Sequence, residues 1–579
     1  MSCEFVSTLY RLRKSSAEAV DDTNAFSDFN RYLHVVRPIE DKLKCLLRQV
    51  NVSGNKCLVL LCGSAGDGKS HLISYLKHAD SEHLLDGYYL YNDATASGAP
   101  ELTSSATLAE KLYAFSDDNI DKQDGFKMIL AINLGTLSKF IESKEGKQYS
   151  RLRSFVENNE ILTTTNEWQF DSNSPFQYIS FSDYQVFSLE SNGINTEYME
   201  ELFDKVFSKT DLNPFEIAYH TCDTCSLRKY CPVKHNYEFL QSKQIQSAVI
   251  ERIVETRIKD KVIVSTRELL NLIYDIIVHP SFDKTSFQAS IAISYSSILN
   301  YINYSTPMLL NEYTNISPLI DSIRTHDVLK SRYEKLDNSA IHFHTLESIT
   351  NEFSSAMEGT PYEALKDIDG FSTLSFNKPE LRSVLFCFII RLNDLRSTAE
   401  KKRLALMKEY VKYLYCMYSG DVRGLNDLYR KTKNAIYNWD KKSDGESICI
   451  DDSNENYWIS EKLQIVAKPI VLSSAINGVV YQFVPNIKMR FEKANNPGVG
   501  SNIDMDYSLF EMVHAMSEGY SPTYQERNIH TDFVGSIRKL IELGTKTKEI
   551  LIIPTSEEKK EKYIFENNEF GFEFRRLQQ

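Results

Sequence analysis

Wholly apolar runs alternate with amphipathic stretches over the first third of the chain. Four short runs read as buried strands: Cys57–Cys62, Tyr88–Asn92, Met128–Ile132 and Phe176–Phe181. Between them, Ser70–His78 sets Leu72, Ile73 and Leu76 at helical spacing, and Leu102–Phe115 does the same with Leu108, Leu112 and Phe115. Strands alternating with helices predict a parallel α/β sheet. Residues 1–50 read as helical, with Leu43, Leu46 and Leu47 on one face, and residues 195–440 are helical in pattern apart from a cysteine-rich break near residue 220. The polar, loop-like stretch DKKSDGESICIDDSNENY closes that region, and strand patterns return in GVVYQFVPNIKMRF, KEILIIP and KYIFENNEFGFEF. In the last, Phe570, Phe572 and Phe574 alternate with Gly571 and Glu573, a period of two. The pattern divides the chain into a helical segment (1–50), an α/β core (51–215), a cysteine-rich insert (216–240), a helical lid and helical domain (241–440) and a C-terminal α+β domain (441–579). No internal repeat and no low-complexity tract stands out.

Composition narrows the class. A hydrophobic fraction of 42% with 12% aromatic residues is that of a globular chain and excludes a disordered one. No apolar run approaches the roughly 18–20 residues of a membrane span. MSCEFVSTLYRLRKSS lacks the apolar core and cleavage site of a signal peptide, so the expectation is a cytoplasmic protein with no membrane contact. The net charge of −13 opposes a surface that coats DNA and favours contacts through partner proteins.

Gly63-Ser64-Ala65-Gly66-Asp67-Gly68-Lys69-Ser70 matches G-x-x-x-x-G-K-[ST] with no departure, between a buried strand and an amphipathic helix. Glycines let successive backbone N–H groups turn inward onto phosphate oxygens, and the following helix adds the positive end of its dipole. The pattern assigns Lys69 to the β- and γ-phosphates of ATP and the Ser70 hydroxyl to Mg²⁺. Hydrolysis also needs a carboxylate for Mg²⁺ and a group to align water. Polar residues end three predicted strands: Asn92 and Asp93, Asn133, and Asp183. In the additional-strand class of P-loop ATPases the third strand carries Asp-Glu; here it carries Asn133. The expectation is Asp93 or Asp183 for Mg²⁺ and Asn133 as a sensor-like residue, against a plain role as strand-end caps. Ser265-x-x-Glu268 is a capping box that opens an amphipathic helix, and Arg267 sits in its first turn, where a cation opposes the dipole. A sensor-type arginine on a helical lid accounts for it; a surface arginine is the alternative.

HTCDTCSLRKYCPVKHN spaces Cys222, Cys225 and Cys231 as ligands, with His235 after them or His220 before them as the fourth. Three thiolates and an imidazole make a closed zinc site. An iron–sulfur cluster completed by a distant cysteine, or thiols without metal, are the alternatives. The remaining cysteines, Cys3 among them, are scattered and read as reduced thiols.

GSAGDGKSH, YNDATAS, ILAINLGTLSKF and the cysteine run, preceded by LHVVRPIE, together resemble the DptF/DndF family of DNA phosphorothioation-dependent restriction proteins, over the N-terminal half of the chain. The resemblance implies an AAA-like P-loop NTPase core, here carrying an inserted zinc-binding loop, a helical lid and a C-terminal α+β domain. It implies an ATPase subunit acting in phage defence against DNA that lacks the phosphorothioate mark. Companions of the DndG/DptG and DndH/DptH type are implied as partners. No PD-(D/E)xK or HNH constellation is present, so cleavage would belong to a partner and DNA would be met through the complex. A nucleotide-binding scaffold and a stand-alone AAA-like remodeller are the rival readings, and a homo-oligomer stays open.

Overall fold

The computed structural model describes residues 3–21, 26–92, 103–122, 125–162, 170–282, 298–312, 317–330, 334–367, 379–397, 402–440, 447–451, 453–494, 496–542, 549–554, 562–568 and 570–577. They form two compact units, residues 1–188 with 196–399, and residues 189–195 with 400–579. No described helix is long and apolar enough to cross a membrane.

The first unit begins with three helices, α1 (Glu4–Asp21), α2 (Asp28–Leu33) and α3 (Pro38–Ser53). Pro38 starts α3, where its missing N–H is not needed. Strand β1 (Cys57–Cys62) follows, then α4 (Lys69–His78), β2 (Tyr88–Tyr91), α5 (Ser104–Lys111), β3 (Lys127–Ile132), α6 (Leu134–Glu142), α7 (Ser150–Asn158) and β4 (Phe176–Ser180). The four strands are parallel in the order β2-β3-β1-β4. Every residue of β1 is buried, as a central strand covered on both faces requires. One face packs Leu58, Leu60, Met128, Leu130 and Phe176 against Phe115, Phe140 and Leu152. β2, at the edge, is only partly covered.

Helices α8 (Glu197–Phe207), α9 (Pro214–His220), α10 (Pro232–Leu240), α11 (Lys243–Asp260) and α12 (Thr266–Asp275) lead into the helical region. Buried polar residues fix its register. Asn236 on α10 donates to the Ile277 and Tyr304 carbonyls at 2.9 and 2.8 Å and accepts from Thr306 N and the Tyr362 hydroxyl at 2.9 Å each. α1 packs along α12: Arg13 pairs with buried Asp275 and lies over the Tyr274 ring, which Tyr10 meets edge-on at 5.9 Å.

The second unit is antiparallel: a five-stranded sheet that includes Tyr457–Lys462 and Glu549–Pro554, and a three-stranded one centred on Ile487–Lys493. The helical pattern runs unbroken to residue 440, yet helices Lys402–Ser419 and Asn426–Asn438 belong to this unit. Packing explains the boundary. Tyr410 donates to the carbonyls of Pro485 and Met505 at 2.8 and 3.0 Å, and Tyr429 meets Phe491 at 5.4 Å. The period-two stretch forms the edge strand Gly571–Leu577, with Phe572 and Phe574 exposed and stacked on Phe565 and Tyr563.

Candidate functional site

The glycine-rich loop leaves the carboxyl end of β1 and runs directly into α4, as the motif requires. Two glycines are sterically enforced. A Cβ on Gly63 would stand 2.8 Å from Phe181 Cβ, and one on Gly66, where φ is +90°, would stand 2.9 Å from Arg267 Cβ. The loop is tied from within and from without. Asp67 Oδ2 accepts from Ser64 N at 2.5 Å, and Lys69 Nζ donates to the carbonyls of Gly63 and Ser64 at 2.8 and 2.6 Å. Arg37, which precedes α3, donates to the carbonyls of Asp67 and Tyr184 at 2.9 and 2.5 Å. Burial dominates the electrostatics here: it raises the Asp67 carboxyl and lowers the Lys69 ammonium from their usual ranges.

A cleft of about 310 Å³ opens over the loop. Ala65 to Ser70, Asn92, Asn133 and Arg267 line its polar side, and Leu33, Val35, Ile39, Leu202 and Leu270 its apolar side. That volume and mixed lining are those of a small-molecule site. The sheet order explains which strand ends arrive. β3 adjoins β1 and brings Asn133 beside the loop; β2 lies one strand further out and brings Asn92. Asn133 Oδ1 caps α6 by accepting from Thr136 N at 2.7 Å, so its amide nitrogen is the atom that remains for a ligand. Asn92 differs: both side-chain amide atoms are buried without a hydrogen-bond partner among the described residues. Such an orphaned amide in a cleft costs stability unless a ligand or water completes it.

Arg267 also reaches the cleft. The expected capping box is formed, with Ser265 N to Glu268 at 2.8 Å and Glu268 N to Ser265 at 3.3 Å. Arg267 N donates to the Gly66 carbonyl at 3.2 Å, so α12 starts against the loop itself. Its Nε is buried without a partner among the described residues. Loop amides, a helix N-terminus, an ammonium and a guanidinium thus converge on one cleft, an arrangement suited to a polyanion.

Of the two candidate carboxylates for Mg²⁺, one is described. Asp183 ends the turn Phe181–Asp183 and is not among the residues lining the cleft, although Phe181 is. Asp93 lies outside the described residues. Sequence reasoning did not single out Arg37, since its role depends on how α3 meets the loop.

Cys222 closes onto Cys225 through a 3-10 turn, Cys225 N donating to the Cys222 carbonyl at 3.0 Å, and Cys231 precedes α10. Among the described residues no three His, Cys, Asp or Glu side chains are grouped as they would be around one metal ion. Neither expected histidine completes the set. His235 is buried in α10 with Nδ1 on the Tyr301 hydroxyl, and His220 points outward beside Glu216 and Asp223. Cys231 and His235 lie one helical turn apart at the start of α10, His235 N donating to the Cys231 carbonyl at 3.1 Å.

Beside the loop, His34 lies flat on Tyr75 at 3.6 Å, and its Nδ1 meets His71 Nε2 at 3.1 Å. Burial lowers His71, His235 and His279 each to about 4. Their unfolded value is near 6.5, so below it the unfolded chain takes up protons that the folded chain refuses. Their contribution to stability is present above pH 6.5 and lost as pH falls towards 4. Asp275, raised to about 6 by burial, acts in the opposite sense, losing its contribution as pH rises through 6. Three groups outweigh one, so the urea midpoint of the full chain is expected to fall between pH 7.5 and 5. A midpoint that holds or rises over that interval would contradict the burial of these rings.

A scan of protein-family models, a search of curated proteins and a search of solved structures each find no match to the chain.

Proposed function

We propose that the chain binds ATP and Mg²⁺ at the Gly63–Ser70 loop and hydrolyses the nucleotide. In this reading it is the ATPase subunit of a cytoplasmic DNA phosphorothioation-dependent restriction complex with a P-loop NTPase core. The observation that carries the nucleotide reading is the loop itself: an undeparted phosphate-binding motif between a buried strand and a helix, opening on a cleft that holds Lys69, Arg267 and the unpartnered amide of Asn92. Lys69 and Arg267 meet the β- and γ-phosphates, Ser70 ligates Mg²⁺, and the apolar side of the cleft takes the base. Asn133, beside the loop, turns its amide nitrogen to the γ-phosphate, and Asn92 orients the attacking water. Asp93, the next residue after Asn92, is our assignment for the Mg²⁺ carboxylate in preference to Asp183. The restriction role rests on the family resemblance and on the acidic balance of the chain, which suits docking on companions of the DndG/DptG and DndH/DptH type that would cut DNA.

One observation favours a second reading, a nucleotide-binding scaffold with little turnover. The described carboxylates lining the cleft are Glu40 and Asp67, and both are engaged: Glu40 with His34 and Lys44, Asp67 with Ser64 N. Phosphate release by the wild-type chain, alone and with companions and unmodified DNA, separates the two. Turnover under either condition supports hydrolysis. ATP binding without turnover leaves the scaffold, and no ATP binding overturns both.

A further inference from the structure

The start of α1 sits among the cysteines that the spacing grouped. Phe5, in its first turn, meets Tyr219 edge-on at 5.8 Å and Tyr237 at 5.1 Å. Tyr219 is on the helix that leads into Cys222, and Tyr237 is on the helix that follows Cys231. α1 also packs on the turn Thr221–Thr224. This wedge brings Cys3, the residue before α1, into the electrostatic range of Cys222, Cys225 and Cys231. Cys222 and Cys231 are buried, and Cys3 and Cys225 are half-buried. Two of the four sulfurs stand at helix starts: Cys3 accepts from Phe5 and Val6 N–H, and Cys231 from Val233 and Lys234 N–H. Burial outweighs these bonds and raises both thiols above their usual range, so each ionises as the metal binds.

We propose that Cys3, Cys222, Cys225 and Cys231 form a four-thiolate centre for a soft metal, with Cys3 and not a histidine as the fourth ligand. An all-sulfur set of four suits a zinc ion or an iron–sulfur cluster and nothing harder. The thiols are not drawn in around a single ion. Zinc would pull them inward, whereas a cluster, larger than an ion, would span them. On binding, each thiol gives its proton to water as a metal–sulfur bond forms. The centre would pin the start of α1, whose middle turn holds α12 through Arg13 and Asp275. It stands independently of the nucleotide reading.

The test is metal analysis of the full chain purified without oxygen. Zinc at about one per chain, or iron with matching acid-labile sulfide and visible absorbance, is the expected result, and the two arms identify the metal. Cys3→Ser and Cys225→Ser should each lower metal affinity by at least ~10-fold, while His235→Gln and His220→Gln retain the metal. X-ray absorption at the edge of the bound metal counts its neighbours in the unsubstituted protein, so the answer does not depend on a variant that folds. Four sulfurs and no nitrogen are expected. Three sulfurs and a nitrogen, full metal retention in Cys3→Ser, or no metal after anaerobic reconstitution with zinc or with iron and sulfide would each overturn the proposal.

Discussion

Lys69→Ala is expected to lose tight ATP binding by ~100-fold or more while the protein stays folded. The ammonium is the one cation of the loop, and charge-assisted hydrogen bonds are worth roughly 1.5–3 kcal/mol each. With two phosphates to meet, removing it forfeits more than one such bond. Its present partners, the Gly63 and Ser64 carbonyls, belong to the loop and not to the core, so little else depends on it. Alanine is also a better helix former at the start of α4. Calorimetric titration with ATP and a thermal melt on the same sample check both halves. An unchanged affinity would remove the phosphate-loop assignment; a collapsed melt would show that Lys69 holds the fold.

Asn92→Ala carries the second large effect, and it sets a structural role against a catalytic one. A buried amide without partners costs about 1–3 kcal/mol, so its removal should leave stability level or slightly higher. If the amide orients the attacking water, turnover should fall on the order of 100- to 1,000-fold. Asn133→Ala should behave differently. It removes a helix cap, at about 1 kcal/mol of stability, together with the proposed phosphate contact. Single-turnover hydrolysis alongside chemical denaturation distinguishes these outcomes. An Asn92→Ala protein that hydrolyses ATP normally but unfolds early would place that residue among the structural ones.

The four strands of the parallel sheet were legible to within a residue because each is an apolar run with a sharp polar or glycine edge, whereas in the second unit Ser447–Asp451 forms a strand inside the stretch read as a loop. β1 forms as expected at Cys57–Cys62, and β3 gains only Lys127. The predicted helix Leu102–Phe115 breaks after Lys111 into α5 and a separate turn at Tyr113–Phe115, with Leu108, Leu112 and Phe115 facing the core and Leu102 outside the described residues. The loop and its capping box were readable because their residues are neighbours in sequence. What periodicity does not encode is which strands are adjacent. The order β2-β3-β1-β4 decides that Asn92 and Asn133 enter the cleft, and the local turn after β4 keeps Asp183 from its lining. Cys3 was invisible for the same reason: more than two hundred residues separate it from Cys222, and only the docking of α1 brings them together.

The parallel sheet also constrains how the protein is made. β1 is the central strand, yet its partners come late: Leu58 pairs with Met128 on one side and Phe176 on the other. At the usual pace of synthesis, roughly 5–20 residues per second, the second partner emerges on the order of ten seconds after β1 does. Until β3 emerges, Leu58, Val59, Leu60 and Leu61, all fully buried in the finished fold, have no sheet to enter, and until β4 emerges one edge of β1 stays unpaired. The nascent chain therefore carries an incompletely paired apolar strand while the rest of the parallel sheet is being translated. Slowing or stalling synthesis between residues 62 and 176 should raise the aggregated fraction, and overproduction at low temperature with added chaperone should lower it.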